Sequence, residues 1–224
     1  MNKTIVKTIS FDLWETLISG NPDFKRQRLD YLQSHCKFSE SEILASLKKI
    51  KTDIDSRVEK HGIQYNDLDL YKMLMHMLDI DAAESTNYMS FCQTAFIKHP
   101  PILKSHAVEL LETLKNDGFR LLIASNTVFI SGKTMRTVLI KLGIFDYFYD
   151  CIFSDEVGYS KPHYEFYKQL HQRSHTFVEN ILHTGDNSIT DMMGAKNYGM
   201  QHCFVPTGYD STEATLRLLN LLKK

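Results

Sequence analysis

The 224-residue chain has few of the features that mark disulfide-rich, zinc-binding or membrane proteins. Its four cysteines are far apart and form no CxxC pair, which favours reduced thiols in a cytoplasmic protein. No apolar run approaches the ~20 residues that a membrane helix needs. Asp12 and Glu15 interrupt the first apolar stretch, which therefore indicates a strand rather than a signal peptide. We expect no membrane among the partners of this protein.

An excess of either charge is also missing. The 26 basic and 27 acidic residues give a formal net charge of −1, whereas a nucleic-acid-binding protein generally carries a basic excess. We therefore expect no nucleic acid among the partners. Hydrophobic residues make up 43% of the chain and aromatic residues 11%, which is enough to build a core and to exclude a disordered chain.

A first strand is predicted at 4–11, and after His99 the hydrophobic pattern alternates between helices and continuous apolar strands. The later strands are predicted at 119–124, 151–153, 181–184 and 202–205, and the helices at 107–116, 134–141, 164–173 and 191–197. Continuous apolar strands that alternate with helices are typical of a parallel sheet covered on both faces. The prediction is an α/β fold with a three-layer, doubly wound parallel sheet.

The segment between the first two strands has helical periodicity instead. Ser39 to Glu42 is a capping-box pattern that opens a helix predicted to end near Gly62, and Asn66 is predicted to cap the next helix. The core face predicted for that second helix consists of Leu70, Met73, Leu74, Met77 and Leu78. We expect a core of residues 1–18 and 99–224 and an all-helical insertion of residues 19–98.

Polar side chains follow four of the predicted strands. Asp12 follows the first strand, Ser125 the second, Lys161 the third, and Asp186 and Asp191 the fourth. Taken singly, each is more often a turn, capping or surface residue. Ligands of open parallel sheets, however, bind just beyond the carboxyl ends of the strands. We therefore expect these five side chains to share one crevice.

Residues of these types together suggest phosphoryl chemistry. Three carboxylates at one point cannot all stay ionised unless a cation lies among them, and Mg²⁺ is the most natural hard ion with oxygen ligands. Lys161 would supply a second positive charge, and Ser125 would donate to phosphoryl oxygens. Asp12 would then be the nucleophile that forms an aspartyl-phosphate.

The sequence resembles the haloacid dehalogenase (HAD) superfamily, whose four motifs appear in order as FDLWETL, IASNT, VGYSKP and GDNSITD, the last followed by GAKNYG. The resemblance implies a Rossmann-like core and a type 1 helical cap. It implies that Asp12, Ser125 and Lys161 are catalytic. Thr16, Asn126 and Lys161 are the candidates for phosphate binding, although Thr16 and Asn126 are also common turn residues. The implied Mg²⁺ ligands are Asp12, the backbone carbonyl of Trp14, Asp186 and Asp191.

Asp186 separates two activities within this superfamily. Gly185, Asp186 and Asp191 look like the Mg²⁺-binding GDxxxxD motif of phosphoryl-transfer members. Metal-independent 2-haloacid dehalogenases usually carry small polar residues where Asp186 stands. The resemblance thus favours a phosphatase acting on a small soluble phosphorylated substrate over a dehalogenase. A monomer and a homodimer are both compatible with the sequence.

Trp14 departs from the phosphatase pattern. The family has a second aspartate here that protonates the leaving oxygen and then activates water, and an indole does neither. Losing a general acid/base typically costs ~10²–10⁴-fold in rate. Three interpretations stay open: a phosphatase for good leaving groups, substitution by Glu15 as the acid, or a weak or non-catalytic protein that binds phosphorylated metabolites.

Overall fold

The computed structural model describes residues 5–206 and residue 218, and a five-stranded parallel sheet forms its centre. The sheet has the order β5-β4-β1-β6-β7, with β1 (Thr8–Phe11) in the middle. The other strands of this sheet are β4 (Arg120–Ser125), β5 (Asp150–Phe153), β6 (Ile181–Gly185) and β7 (Gln201–Phe204). A separate antiparallel pair consists of β2 (Ile18–Ser19) and β3 (Ile102–Leu103). The predicted parallel sheet is confirmed, but its first strand begins at Thr8, and the predicted start at Thr4 lies outside the described residues.

Helices cover both faces of the sheet. The helices of this α/β part are α5 (Ala107–Asn116), α6 (Gly132–Lys141), α7 (Ser154–Val157), α8 (Tyr164–Ser174) and α9 (Gly194–Tyr198). Alternate residues of β4 face opposite ways, as the period of a strand requires. Leu121 and Ile123 belong to a hydrophobic cluster with α5 and α6, whereas Leu122 and Ala124 pack with α8 and α9. The predicted three-layer architecture is therefore confirmed.

Four further helices lie between β2 and β3: α1 (Pro22–Gln33), α2 (Glu40–His61), α3 (Asp67–Met77) and α4 (Glu84–Lys98). The chain enters this helical segment after β2 and leaves it before β3, and these two strands lie side by side as an antiparallel pair. Near this point the Asn21 side chain donates to the carbonyl oxygen of Pro100 at 2.8 Å. The chain therefore enters and leaves this four-helix segment at one place, and the division into a core and an inserted cap stays a prediction.

Local sequence signals set the ends of these helices as predicted. Ser39 and Glu42 form a capping box at the start of α2, and Gly62 ends that helix in the left-handed region at φ 60°. Asn66 caps α3 by accepting from the backbone N–H of Leu68. The core face predicted for α3 is partly wrong, because Met73 is 41% exposed. The buried residues of this helix are Leu70, Tyr71, Leu74 and Met75, so its core face is rotated from the predicted one.

The helix predicted at 191–197 begins earlier and in a different form. Ser188–Met193 are π-helical and lead into α9. The Asn187 carbonyl accepts from the N–H groups of both Asp191 and Met192, which widens this turn, and the Asn187 side chain accepts from Ile189 and Thr190. Wide turns of this kind occur often at functional sites. Among the described residues, no helix is both long enough and apolar enough to cross a membrane.

Gly194 permits the close contact between α9 and α8. A Cβ at this position would lie 2.5 Å from the ring of Tyr167, which is fully buried and donates to the Thr190 carbonyl. We expect Gly194→Ala to lower the free energy of unfolding by about 1–3 kcal/mol through overpacking, although alanine is the better helix former. Urea unfolding measures this change. Gly20→Ala is the control, since nothing lies within 4 Å of its Cβ position, and equal stability of the two variants would contradict the prediction.

Candidate active site

The carboxyl ends of the central strands bring the predicted residues together. Asp12 follows β1 directly, and its backbone N–H donates to the Thr184 carbonyl of the neighbouring β6 at 2.9 Å. Ser125 is the last residue of β4, and Asp186 follows β6. Asp191 lies in the π-helical turn after it. The order of the strands therefore places these positions at one edge of the sheet.

The ammonium of Lys161 lies between two of the carboxylates. Its Nζ donates to Asp12 Oδ1 at 2.7 Å and to Asp191 Oδ1 at 2.6 Å. Lys161 and Asp191 are each 1% exposed, and Asp12 is 7% exposed. Removing such charges from water is costly unless each has a partner, so the three side chains depend on one another.

Asn126 holds the backbone of Lys161. Its Oδ1 accepts from the Lys161 N–H at 2.8 Å, and its Nδ2 donates to the Lys161 carbonyl at 3.0 Å. Both polar atoms of the side chain are thus used to position Lys161, and the predicted contact of Asn126 with phosphate stays a prediction. Ser125 is buried, with a long contact of 3.4 Å to the Asn126 carbonyl, and Thr16 donates to Asp12 Oδ2 at 3.4 Å.

His183 is a member of the site that sequence reasoning missed. Its ring is fully buried in β6, with Nδ1 2.7 Å from the Ser10 hydroxyl and Nε2 3.0 Å from Asp191 Oδ1. Burial lowers the pKa of His183, so we assign a neutral ring that donates from Nε2 to Asp191 and accepts from Ser10. The signal for this role was an ionisable residue inside a strand that is buried along its whole length.

Crowding shifts the proton affinities of the three carboxylates. Burial raises the pKa of Asp12 to about 7, against the opposing effect of Lys161, and the charge of Asp191 raises it further. Burial, followed by the charge of Asp191, raises the pKa of Asp186 to about 6. Burial also acts to raise the pKa of Asp191, but Lys161 and His183 outweigh it and hold that pKa below its usual range.

The carboxylates fit a divalent cation. One oxygen from each of Asp12, Asp186 and Asp191 lies within 4.8 Å of the others, and these hard, crowded donors suit Mg²⁺. Gly185 permits this approach, because a Cβ there would lie 2.4 Å from the Asp191 carboxylate. Asn187 adds a further constraint by donating its backbone N–H to Asp191 Oδ2 at 3.0 Å.

Trp14 and Glu15 contact different parts of the protein. The partly buried Trp14 ring lies 6.0 Å from the ring of Phe96 on α4, and the predicted metal contact of its carbonyl stays a prediction. Glu15 adopts φ 57°, a region that costs non-glycine residues about 1–2 kcal/mol. Its carboxylate, 46% exposed, accepts from Lys104 Nζ at 3.0 Å.

Comparison with known proteins identifies the family. The family model for haloacid dehalogenase-like hydrolases matches residues 6–199. The chain belongs to this family. The resemblance read from the four motifs is therefore confirmed, and the protein is an enzyme of the hydrolase class.

Individual relatives of this hydrolase agree with that assignment. It is 29% identical over 204 residues to the glyceraldehyde 3-phosphate phosphatase of Methanocaldococcus jannaschii, covering 88% of this chain and 83% of that protein. Its fold is similar to that of the HAD hydrolase YfnB from Bacillus subtilis bound to magnesium, with a TM-score of 0.70, 20% identity, and 98% and 100% of the two chains covered. It is also similar to L-2-haloacid dehalogenase from Xanthobacter autotrophicus, with a TM-score of 0.64, 17% identity, and 90% and 78% coverage. At these identities the two solved structures bear on the fold alone.

The raised pKa values predict how pH and Mg²⁺ act on stability. In metal-free protein, Asp12 and Asp186 hold protons up to about pH 7 and 6, whereas in the unfolded chain they release them near 3.8. The folded state thus binds more protons between these values, and stability falls as pH rises through them. Since Mg²⁺ binds ionised carboxylates, we expect it to raise the melting temperature more at about pH 8 than at about pH 5.

Differential scanning fluorimetry with and without Mg²⁺ measures the effect. Saturation to about 100 times Kd would add about 2.7 kcal/mol. Asp186→Asn should reduce the shift produced by Mg²⁺, and the exposed Asp69→Asn should leave it unchanged. A shift that is equal at both pH values, or that Asp186→Asn retains in full, would contradict this prediction.

Proposed function

We propose that this hydrolase is a Mg²⁺-dependent phosphatase that acts on a small phosphorylated metabolite through an aspartyl-phosphate on Asp12. The observation that carries the proposal is the position of Asp12, a buried carboxylate at the end of the central strand, bound to Lys161 and beside Asp186 and Asp191. The relatives named as phosphatases of a small phosphate ester support the same reaction class.

The chain's own residues have distinct tasks in this mechanism. Lys161 and Thr16 hold the two oxygens of Asp12, so that one of them can attack phosphorus while the bond to the leaving oxygen breaks. The Lys161 ammonium lies where charge on the phosphoryl oxygens needs compensation, and Ser125 would orient the group. Mg²⁺ held by Asp12, Asp186 and Asp191, with the Trp14 carbonyl, would neutralise phosphoryl charge. Attack of water on phosphorus then restores Asp12 and releases phosphate.

Trp14 decides which substrates suit this site. Its indole N–H is far too weak an acid to protonate a leaving oxygen, which favours substrates whose leaving group departs without protonation. Glu15 is the alternative acid, and in this structure its carboxylate is bound to Lys104. The rival function is a non-catalytic protein that binds phosphorylated metabolites. It is favoured by the same feature, the presence of Trp14 where the family has an aspartate. Tight phosphate binding without turnover across a broad panel of phosphate esters would support it.

We further propose that residues 19–98 are a cap that closes over the substrate. Contacts between the insertion and the strand-end loops support this role. The Tyr71 hydroxyl and Gln93 Nε2 both donate to the Phe129 carbonyl, at 2.5 and 2.8 Å. Asn187, in the loop of the proposed metal ligands, donates from Nδ2 to Glu59 on α2 at 2.8 Å. Closure of the insertion would therefore be coupled to order in the carboxylate loop through the hydrogen bond between Asn187 and Glu59.

Replacing Asp12 tests the nucleophile. Protein with Mg²⁺ and an aryl phosphate should release phosphate, and Asp12→Asn should reduce kcat by at least ~10³-fold because the amide does not form the phosphoryl intermediate. A colorimetric phosphate assay measures this, with Asp69→Asn on the exposed face of α3 as the control. Release unaffected by Asp12→Asn would refute the assignment. Chloride release from 2-chloropropionate in EDTA would instead indicate a metal-independent dehalogenase.

Trp14→Asp tests the missing acid. We expect it to raise turnover of alkyl phosphates by ~10-fold or more and to change turnover of aryl phosphates less, because only the poorer leaving group needs a proton. Trp14→Asn is the matched control, since it removes the indole without adding an acid. Equal or lower turnover of both substrate types in Trp14→Asp would mean that Trp14 does not merely replace an acid.

A further inference from the structure

Arg28, on α1, carries a positive charge that no carboxylate neutralises within residues 5–206. Its Nε donates to the Tyr88 hydroxyl at 3.2 Å, and its Nη2 is buried without a hydrogen-bond partner in that part of the chain. A guanidinium has five N–H donors in one plane, and leaving such donors unpaired away from water is unfavourable. The sequence neighbour Arg26 differs, because it is exposed and pairs with Asp30 and Glu40.

The guanidinium lies in a seam between the inserted helices and the strand-end loops. Its carbon is 5.6 Å from the ring centre of Phe24 on α1 and 5.5 Å from that of Phe129, which lies in the loop that follows Ser125. The seam continues toward the nucleophile, because Phe24 contacts Phe96 at 5.0 Å and Phe96 contacts Trp14 at 6.0 Å. Arg28 therefore stands at the far end of an aromatic row that begins two residues after Asp12.

Aromatic rings stabilise the charge of Arg28 but do not complete its hydrogen bonding. The faces of Phe24 and Phe129 attract the cation, whereas the N–H groups need acceptors in the guanidinium plane. A carboxylate meets that need best, because its two oxygens match two parallel N–H groups. The described residues place no carboxylate within ion-pair distance of Arg28, so this guanidinium is available to a carboxylate-bearing ligand that enters the seam.

We propose that Arg28 binds a carboxylate on the substrate, so that the preferred substrates are phosphorylated hydroxy acids rather than phosphate esters that lack a carboxylate. This inference rests on the proposed phosphatase function and adds the chemical group that the substrate carries at the end away from its phosphate. The phosphate end meets Lys161 and the three aspartates, and the carboxylate end meets Arg28. Arg28 is thus a specificity-determining residue, separate from the groups that cleave the phosphate ester.

The test compares two substrates that differ at one end only. 3-Phosphoglycerate carries a carboxylate where glycerol 3-phosphate carries a hydroxymethyl group. We expect the wild-type protein to show a kcat/KM at least ~10-fold higher for 3-phosphoglycerate, and Arg28→Gln to remove most of this ratio through KM. Arg28→Lys, which keeps the charge but not the planar fork, should lower the ratio in part. The control Arg26→Gln should leave the ratio unchanged.

A binding measurement separates this inference from the proposed function. Trp14 is the only tryptophan of the chain and lies in the same seam, so its fluorescence reports ligands there. In Asp12→Asn protein, 3-phosphoglycerate should bind more tightly than glycerol 3-phosphate, and adding Arg28→Gln should abolish the difference. Should the wild-type protein hydrolyse neither ester, the phosphatase proposal fails while this titration still decides the role of Arg28.

Two results would overturn the inference. One is a substrate ratio that is the same in wild-type, Arg28→Lys and Arg28→Gln protein, even if Arg28→Gln lowers both activities together. The other is equal binding of the two esters to Asp12→Asn protein. Either result would make Arg28 a packing cation held by Phe24, Phe129 and Tyr88, with no part in substrate choice.

Discussion

The site depends on one buried ammonium, that of Lys161, which two carboxylates share. Asp12 and Asp191 come from segments 179 residues apart, counted from 12 to 191, and neither could lie so deep without a cation between them. The other contacts support this pair of bonds. Asn126, which follows β4, holds the backbone of Lys161 through two hydrogen bonds. His183 in β6 holds Asp191 through its Nε2. The order of the strands thus determines which charged side chains meet in the site.

The same cluster has more negative charge than Lys161 balances. Asp186 lies near Asp191 and forms no ion pair with a described residue, and burial raises the pKa of both Asp186 and Asp12 above that of a free aspartate. Three crowded carboxylates of this kind are suited to a divalent cation as a group, and no single one of them makes the site. In the proposed phosphatase, metal affinity would come from the limit that the fold sets on the separation of the three aspartates, with Gly185 allowing the close approach of Asp191.

The two parts of the chain contribute different chemistry to the crevice. The strand ends supply charged groups suited to a phosphoryl group, and the inserted helices supply an aromatic seam with one cation, Arg28, along it. Trp14 lies where the two meet. In the proposed mechanism an aromatic residue at position 14 takes the place of an acid, and in the structure its ring packs against Phe96 of the inserted helices. If both proposals hold, the missing acid and the surface that recognises the substrate would be linked through the side chain of Trp14.

The parallel sheet, the helix ends at Ser39, Gly62 and Asn66, and the candidate residues at the strand ends followed from the sequence, because apolar runs, caps and motif spacing act over short distances along the chain. The tertiary structure decided the rest. His183 lies inside a buried strand, and its role in the site follows only from its contacts with Ser10 and Asp191. Asn126 holds Lys161, 35 residues away, and Arg28 is notable for a partner that the described chain does not provide. Such roles depend on which distant side chains meet in a desolvated place, and that is determined by packing of the whole chain.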